Sequence, residues 1–164
     1  MSEQDGAELT AQEQRFLRRA IELAWEARRA GQRPFGSVLV DGEGRIVAER
    51  FNTALQDQDI SAHPELKLAV EAARLLSPEE RRWATLYTST ENCAMCSGAF
   101  VLAGLGRLVF SVSAAQLAEL RGEQTAPAVD APSRFLFARA NYPITVVGPV
   151  LSEEGLAVHR DYWH

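Results

Sequence analysis

Thr90-Glu91-Asn92-Cys93-Ala94-Met95-Cys96, read together with His63-Pro64-Glu65 upstream, is what this chain is organised around. The two cysteines stand three positions apart at the start of an apolar segment, 94–105, whose pattern predicts a helix. Sulfurs with that spacing at a helix N-terminus converge on one point, where the helix dipole and free N–H groups favour thiolate over thiol. A thiolate pair joined by a nitrogen ligand suits a borderline-soft cation such as zinc. His63 is the only histidine outside the last six residues, so the candidate ligand set is His63, Cys93 and Cys96. Three protein ligands leave one position of a tetrahedral Zn2+ open for water, which is how catalytic zinc differs from structural zinc.

Outward from that stretch, composition narrows the class. A chain of 164 residues with 46% apolar content is enough for one packed core, so a single domain over 1–164 is expected. Residues 1–9 are acidic and polar, unlike a signal peptide, and are expected to fray. The net charge of −5 argues against an extended phosphate-binding surface, so a nucleic-acid partner is not expected. Two closely spaced cysteines do not make a disulfide framework, and no apolar run has membrane-spanning length, so no membrane role is expected. A cytoplasmic location is the default.

Taken in order, Thr10 and Glu13 form a capping-box signature before an amphipathic helix that Gly31 ends. Strands follow at 37–40 and 46–51, joined by the turn signal Asp41-Gly42-Glu43-Gly44. Residues 53–60 read as a polar loop, and Pro64 suits the first position of a helix that Ser77-Pro78 stops. A buried strand at 84–88 leads into the cysteine motif. After the cysteine helix come a strand at 107–111, a helix at 114–120 and a loop at 122–132. A helix at 133–140, a strand at 143–148 and a closing helix at 153–163 complete the chain. Strands alternating with helices predict an α/β fold: a three-layer α/β/α sandwich on a mixed central sheet of about five strands.

His-x-Glu at the start of one helix and Cys-x-x-Cys at the start of another is the layout of zinc nucleobase deaminases. With Pro34-Phe35-Gly36-Ser37-Val38, Asn52 and the run Leu86 to Glu91, the chain resembles the cytidine deaminase-like superfamily, in its guanine deaminase and tRNA adenosine deaminase branch. The resemblance implies a hydrolytic deaminase in which zinc-activated water attacks a ring carbon, Glu65 shuttles the protons, and ammonia leaves. It implies a small nucleobase or nucleoside substrate, purine-type such as guanine, and a homodimer. It makes Asn52, Phe35, Pro64, Glu91 and Asn92 the candidate substrate contacts. Rival readings exist for each residue. His63 could cap its helix, Glu65 could serve the helix dipole, and the cysteines could be core residues or a redox pair lacking its usual early-strand context. Asn52 could simply close a turn and Phe35 pack in the core. His159 and His164 read as surface residues, and Tyr162 and Trp163 as a packed tail or an aromatic closure of the pocket.

Two departures from the family pattern bear on substrate. Asn92 stands where the family usually has proline, and as a good N-cap it is expected to preserve the helix start. Pro64 stands where the family usually has alanine, whose backbone N–H donates to the substrate ring. Proline lacks that donor, so a different heterocycle or a shifted pose is expected. Where guanine deaminases carry a tryptophan, the matching residue is Leu102. No acidic counterpart stands out in 116–124. The alternatives to a free-base deaminase are a tRNA adenosine deaminase and a non-catalytic zinc scaffold of the same fold.

Overall fold

Alternation along the strands fixes how this chain folds. In the computed structural model, which describes residues 8–163, Val38 and Val40 of β1 (Gly36–Val40) pack on one side and Leu39 on the other. β3 (Thr85–Thr90) divides Leu86 from Tyr87 in the same way, and β4 (Arg107–Val112) divides Leu108 and Phe110 from Val109. A strand whose two faces are both apolar must be covered on both. With β2 (Ile46–Phe51) and β5 (Thr145–Val147), these strands form a five-stranded sheet in the order β2-β1-β3-β4-β5. β1 is antiparallel to β2 and β3, while β3, β4 and β5 run parallel.

Helix α1 (Ala11–Arg29) covers one face through Leu17, Ala20 and Leu23, and Thr10 with Glu13 forms the capping box at its start. At Gly36 a Cβ would lie 2.5 Å from the Ala20 carbonyl oxygen, so glycine is what lets β1 approach α1 this closely. On the opposite face lie α3 (Pro64–Leu75) and α5 (Ala94–Ala103), which contribute Leu68, Ala72 and Phe100 to the larger core. The sequence-based three-layer α/β/α sandwich is therefore the observed fold. Leu39, Leu86 and Leu108 are wholly buried, each worth about 2 kcal/mol of transfer free energy. This packing brings the N-termini of α3 and α5 together at one end of β3.

Several boundaries differ from expectation. The polar loop after β2 contains a short helix, α2 (Ala54–Asp57). Ser77-Pro78, expected only to stop a helix, starts α4 (Pro78–Trp83): Ser77 accepts from the Glu80 N–H, and Glu80 returns the bond. α6 (Ala114–Arg121) is present, α7 (Ser133–Phe137) is shorter than expected, and the closing helix is only α8 (Ser152–Ala157). Gly155 in α8 packs against Ser111 of β4. The expected fraying of 1–9 falls largely on residues outside the described ones, as does His164. No described helix is long and apolar enough to cross a membrane.

Candidate active site

Both halves of the site sit at helix starts. His63 is the N-cap of α3, with Pro64 at its first position and Glu65 next. β3 ends at Thr90, and the chain passes through Glu91 and Asn92 to Cys93, the N-cap of α5; Cys96 follows within the first turn. Asn92 was the expected cap, but the structure gives that position to Cys93, with no side-chain cap bond.

Because α3 packs on α5, the three candidate ligands meet. Their donor atoms all lie within 4.8 Å of one another. His63 Nδ1 is 3.7 Å from Cys93 Sγ and 3.4 Å from Cys96 Sγ. Bond lengths of ordinary tetrahedral zinc put sulfur and nitrogen ligands about 3.6 Å apart, so this donor set fits Zn2+ in size as well as in softness. Cys96 is buried and Cys93 exposed, so solvent reaches the triad from the Cys93 side.

Electrostatics agree with the geometry. The Cys93 thiol is pulled down to about 4, first by hydrogen bonding from Cys96 and also by His63, despite its burial. Cys96 is pushed up because its proton is shared with the Cys93 thiolate. His63 is raised above its ordinary value by its bond to Cys93. A cation at this point would release the remaining thiol proton, as metal binding to cysteine does generally. Glu65 is 5% exposed, and burial pushes its carboxyl above the usual range, though His63 opposes this. Its Oε2 lies 3.6 Å from Cys96 Sγ, beside the triad but not within it.

A model of the cytidine and deoxycytidylate deaminase zinc-binding region matches residues 10–112, a span that contains His63, Glu65, Cys93 and Cys96. The chain belongs to that deaminase family. It is 35% identical over 159 residues to the "probable cytosine deaminase" of Schizosaccharomyces pombe, covering 95% of each chain. Against a tRNA-specific adenosine deaminase of Haemophilus influenzae it is 31% identical over 145 residues, covering 87% of this chain and 78% of the relative. The X-ray structure of a guanine deaminase from Bacillus subtilis superimposes with a TM-score of 0.59 at 27% identity, covering 94% of this chain and 96% of that one. This deaminase is thus a zinc-family hydrolase acting on C–N bonds.

The candidate substrate contacts of the deaminase fare differently from one another. Phe35 is half-buried, its ring centroid 5.5 Å from that of His159 and 6.0 Å from that of Trp163. Asn52 is buried and accepts from the Ala54 N–H at 2.9 Å, which makes the turn its sequence position allows. Pro64 is buried at the head of α3. Glu91 is engaged elsewhere: it accepts from the Ala114 N–H at 2.9 Å and from the N–H and hydroxyl of Ser133 at 2.9 and 2.5 Å, tying the cysteine loop to α6 and α7. Asn92 is 1% exposed, and neither its Oδ1 nor its Nδ2 has a partner among the described residues.

His159 overturns its expected place on the surface: it is 1% exposed. Trp163 Nε1–H donates to its Nδ1 at 3.1 Å, leaving Nε2 to carry the hydrogen toward Thr90 Oγ1 at 3.3 Å. The tail after α8 folds back as an aromatic group, and nothing in its helical spacing signalled a buried imidazole. Thr88, which has no role assigned from sequence, places its hydroxyl oxygen 3.0 Å from Glu65 Oε1. A threonine in a buried strand carries no signal of such a contact, because only the packing of α3 on β3 creates it.

Proposed function

We propose that this deaminase hydrolyses the exocyclic amine of a free nucleobase, with His63, Cys93 and Cys96 holding Zn2+ and Glu65 moving the protons. The observation that carries the reading is one imidazole nitrogen and two sulfurs, all within 4.8 Å, with a buried carboxyl beside them. Zinc supplies the Lewis acidity that makes water nucleophilic near neutral pH. Glu65 takes a proton from the attacking water and passes it to the ring nitrogen. It then delivers the second to the departing amine, so that the ring gains a carbonyl and ammonia leaves. Phe35 stacks on the ring, and Asn52 offers its remaining amide hydrogens to the ring's edge.

Cytosine is the first candidate, because the relative named for it aligns over almost the full length of both chains. Guanine, favoured by the sequence resemblance, is the second, supported by the Bacillus subtilis structure. Folded tRNA ranks below both, because the net charge of −5 disfavours a phosphate-tracking surface. Pro64 offers no N–H to an acceptor on the ring, a loss of about 1–3 kcal/mol against any base that needs it. Installing Pro64→Ala is therefore expected to shift the preference among bases, and an unchanged ranking would contradict this role.

The same proposal takes 1–164 as one catalytic domain, in a reducing cytoplasm where both thiolates stay free for metal. It also pairs the chain as a homodimer. Exposed Met95 and Leu102, seven residues apart on one side of α5, support that pairing. Ammonia release is to be measured over cytosine, guanine, adenine, their nucleosides, pterins, triazines and tRNA, with Glu65→Gln as control. Release from a free base, cut about 100-fold or more in the variant, is expected. Equal release by the variant, or release from tRNA alone, would overturn the assignment.

A further inference from the structure

The shuttle carboxyl has two oxygens, and only one can face the metal triad. Glu65 Oε2 lies 3.6 Å from Cys96 Sγ, whereas Oε1 lies 3.0 Å from the hydroxyl oxygen of Thr88. Thr88 is itself held. Ser37 on β1 is its direct cross-strand neighbour on β3, and the Ser37 hydroxyl donates to Thr88 Oγ1 at 2.9 Å. Ser37 and Thr88 are both completely buried, so no water competes for these bonds.

The Thr88 hydroxyl has one hydrogen and three acceptors within reach: Glu65 Oε1 and the Thr90 carbonyl, each at 3.0 Å, and the Gly36 carbonyl at 3.5 Å. With Ser37 donating to its oxygen, that hydrogen is directed at one of these, and the Gly36 carbonyl is the most distant. In the ionised form, the one able to take a proton from water, Glu65 is the stronger acceptor, because charge-assisted bonds are roughly twice as strong as neutral ones. A terminal carboxyl rotates about a broad, shallow torsion, so an unanchored Glu65 would present either oxygen to the site.

We propose that Thr88 is the positioning residue of the proton shuttle: fixed by Ser37, its hydroxyl pins Oε1 of Glu65 so that Oε2 faces the metal side. This rests on the deaminase reading of Glu65 but adds a residue in contact with neither substrate nor metal. The arrangement runs through the sheet, from β1 to β3 to α3. Register between the two strands therefore sets the aim of a side chain on a helix.

The test uses the whole 164-residue chain, zinc-loaded, with Thr88→Val, which keeps the shape and removes the hydroxyl, Thr88→Ser, which restores it, and Ser37→Ala. Thr88→Val should keep one zinc per chain and a KM near that of the parent, while kcat falls about 100-fold, the scale of a misplaced catalytic group. Thr88→Ser should recover most of that loss, and Ser37→Ala should fall between them. Crystal structures supply a readout independent of turnover: Glu65 Oε1 stays against position 88 in the parent and in Thr88→Ser, and leaves it in Thr88→Val. An unchanged kcat in Thr88→Val, equal damage in Thr88→Ser, or an unmoved Glu65 in Thr88→Val overturns the proposal. If Thr88→Val fails to fold, Thr88→Ser and Ser37→Ala decide it by the same criteria. A parent protein that releases ammonia from no substrate refutes the deaminase reading instead, and the crystallographic comparison still tests the contact.

Discussion

His159 should make the stability of this protein fall in acid, by an amount the structure sets. Burial holds its imidazole down to about 4 from an ordinary 6.5, with Arg121 and Arg28 adding repulsion. The Trp163 N–H aimed at Nδ1 further opposes a second ring hydrogen. The folded state therefore takes up this proton later than the unfolded chain does. The stability is present in full above the unfolded pKa and is lost as the pH falls from about 6.5 toward 4. Proton linkage gives almost nothing at neutral pH, about 2 kcal/mol of loss by pH 5 and about 3 kcal/mol by pH 4. Other groups, Cys93 among them, titrate in the same window, so the informative quantity is a difference between two proteins. His159→Asn keeps an acceptor near Nδ1 and cannot be charged. Urea unfolding of both, from neutral pH to about pH 5, should show the parent losing about 2 kcal/mol more than the variant, roughly 4–8 °C in Tm. Parallel pH profiles, or an NMR titration of His159 with an ordinary midpoint, would refute the reasoning.

Further outcomes follow from the loop that carries the cysteines. Among the described residues, Asn92 buries an amide with no partner on either polar atom, and its own backbone N–H has no acceptor. Removing an unsatisfied buried group recovers about 1–3 kcal/mol, and proline lowers the entropy of the unfolded chain besides. Asn92→Pro should thus stabilise the protein in denaturant melts, and a destabilised variant would mean that the amide is satisfied in solution. Glu91→Ala removes three bonds to a carboxylate that holds the starts of α6 and α7. It should cost about 3 kcal/mol and speed proteolysis within 122–132, whereas a loss below about 1 kcal/mol would show those bonds to be dispensable. Gly106→Ala would place a Cβ 1.9 Å from the Arg82 carbonyl oxygen, backbone against backbone, so thermal unfolding should register a loss of several kcal/mol. A melting temperature equal to the parent's would contradict that contact.

The layers of the fold were legible because alternation and periodicity survive in single residues. Val38, Leu39 and Val40 must face opposite ways on any strand, and Leu17, Ala20 and Ala24 must share a face on any helix. The candidate ligand set was legible for a similar reason: Cys-x-x-Cys and His-x-Glu each put their donors at a helix start, and the packing of α3 on α5 then brings the two starts together. α4 was hidden because Pro-Glu-Glu-Arg-Arg-Trp has a single apolar residue and so no hydrophobic period, although Ser77 and Glu80 spelled its capping box. His159 was hidden because its burial depends on Thr90, Phe35 and Trp163, three residues brought together only by the finished sheet and tail. Glu91 had no local pattern to mark it as a clasp, since its partners lie more than twenty residues away.

Zinc K-edge X-ray absorption on the purified protein reads the proposed ligand set without reference to turnover. One zinc per chain is expected, with two sulfur neighbours near 2.3 Å and two nitrogen or oxygen neighbours near 2.0–2.1 Å, the lighter pair being His63 and one exchangeable solvent oxygen. A shell of four sulfurs, or no tightly held metal at all, would contradict the account.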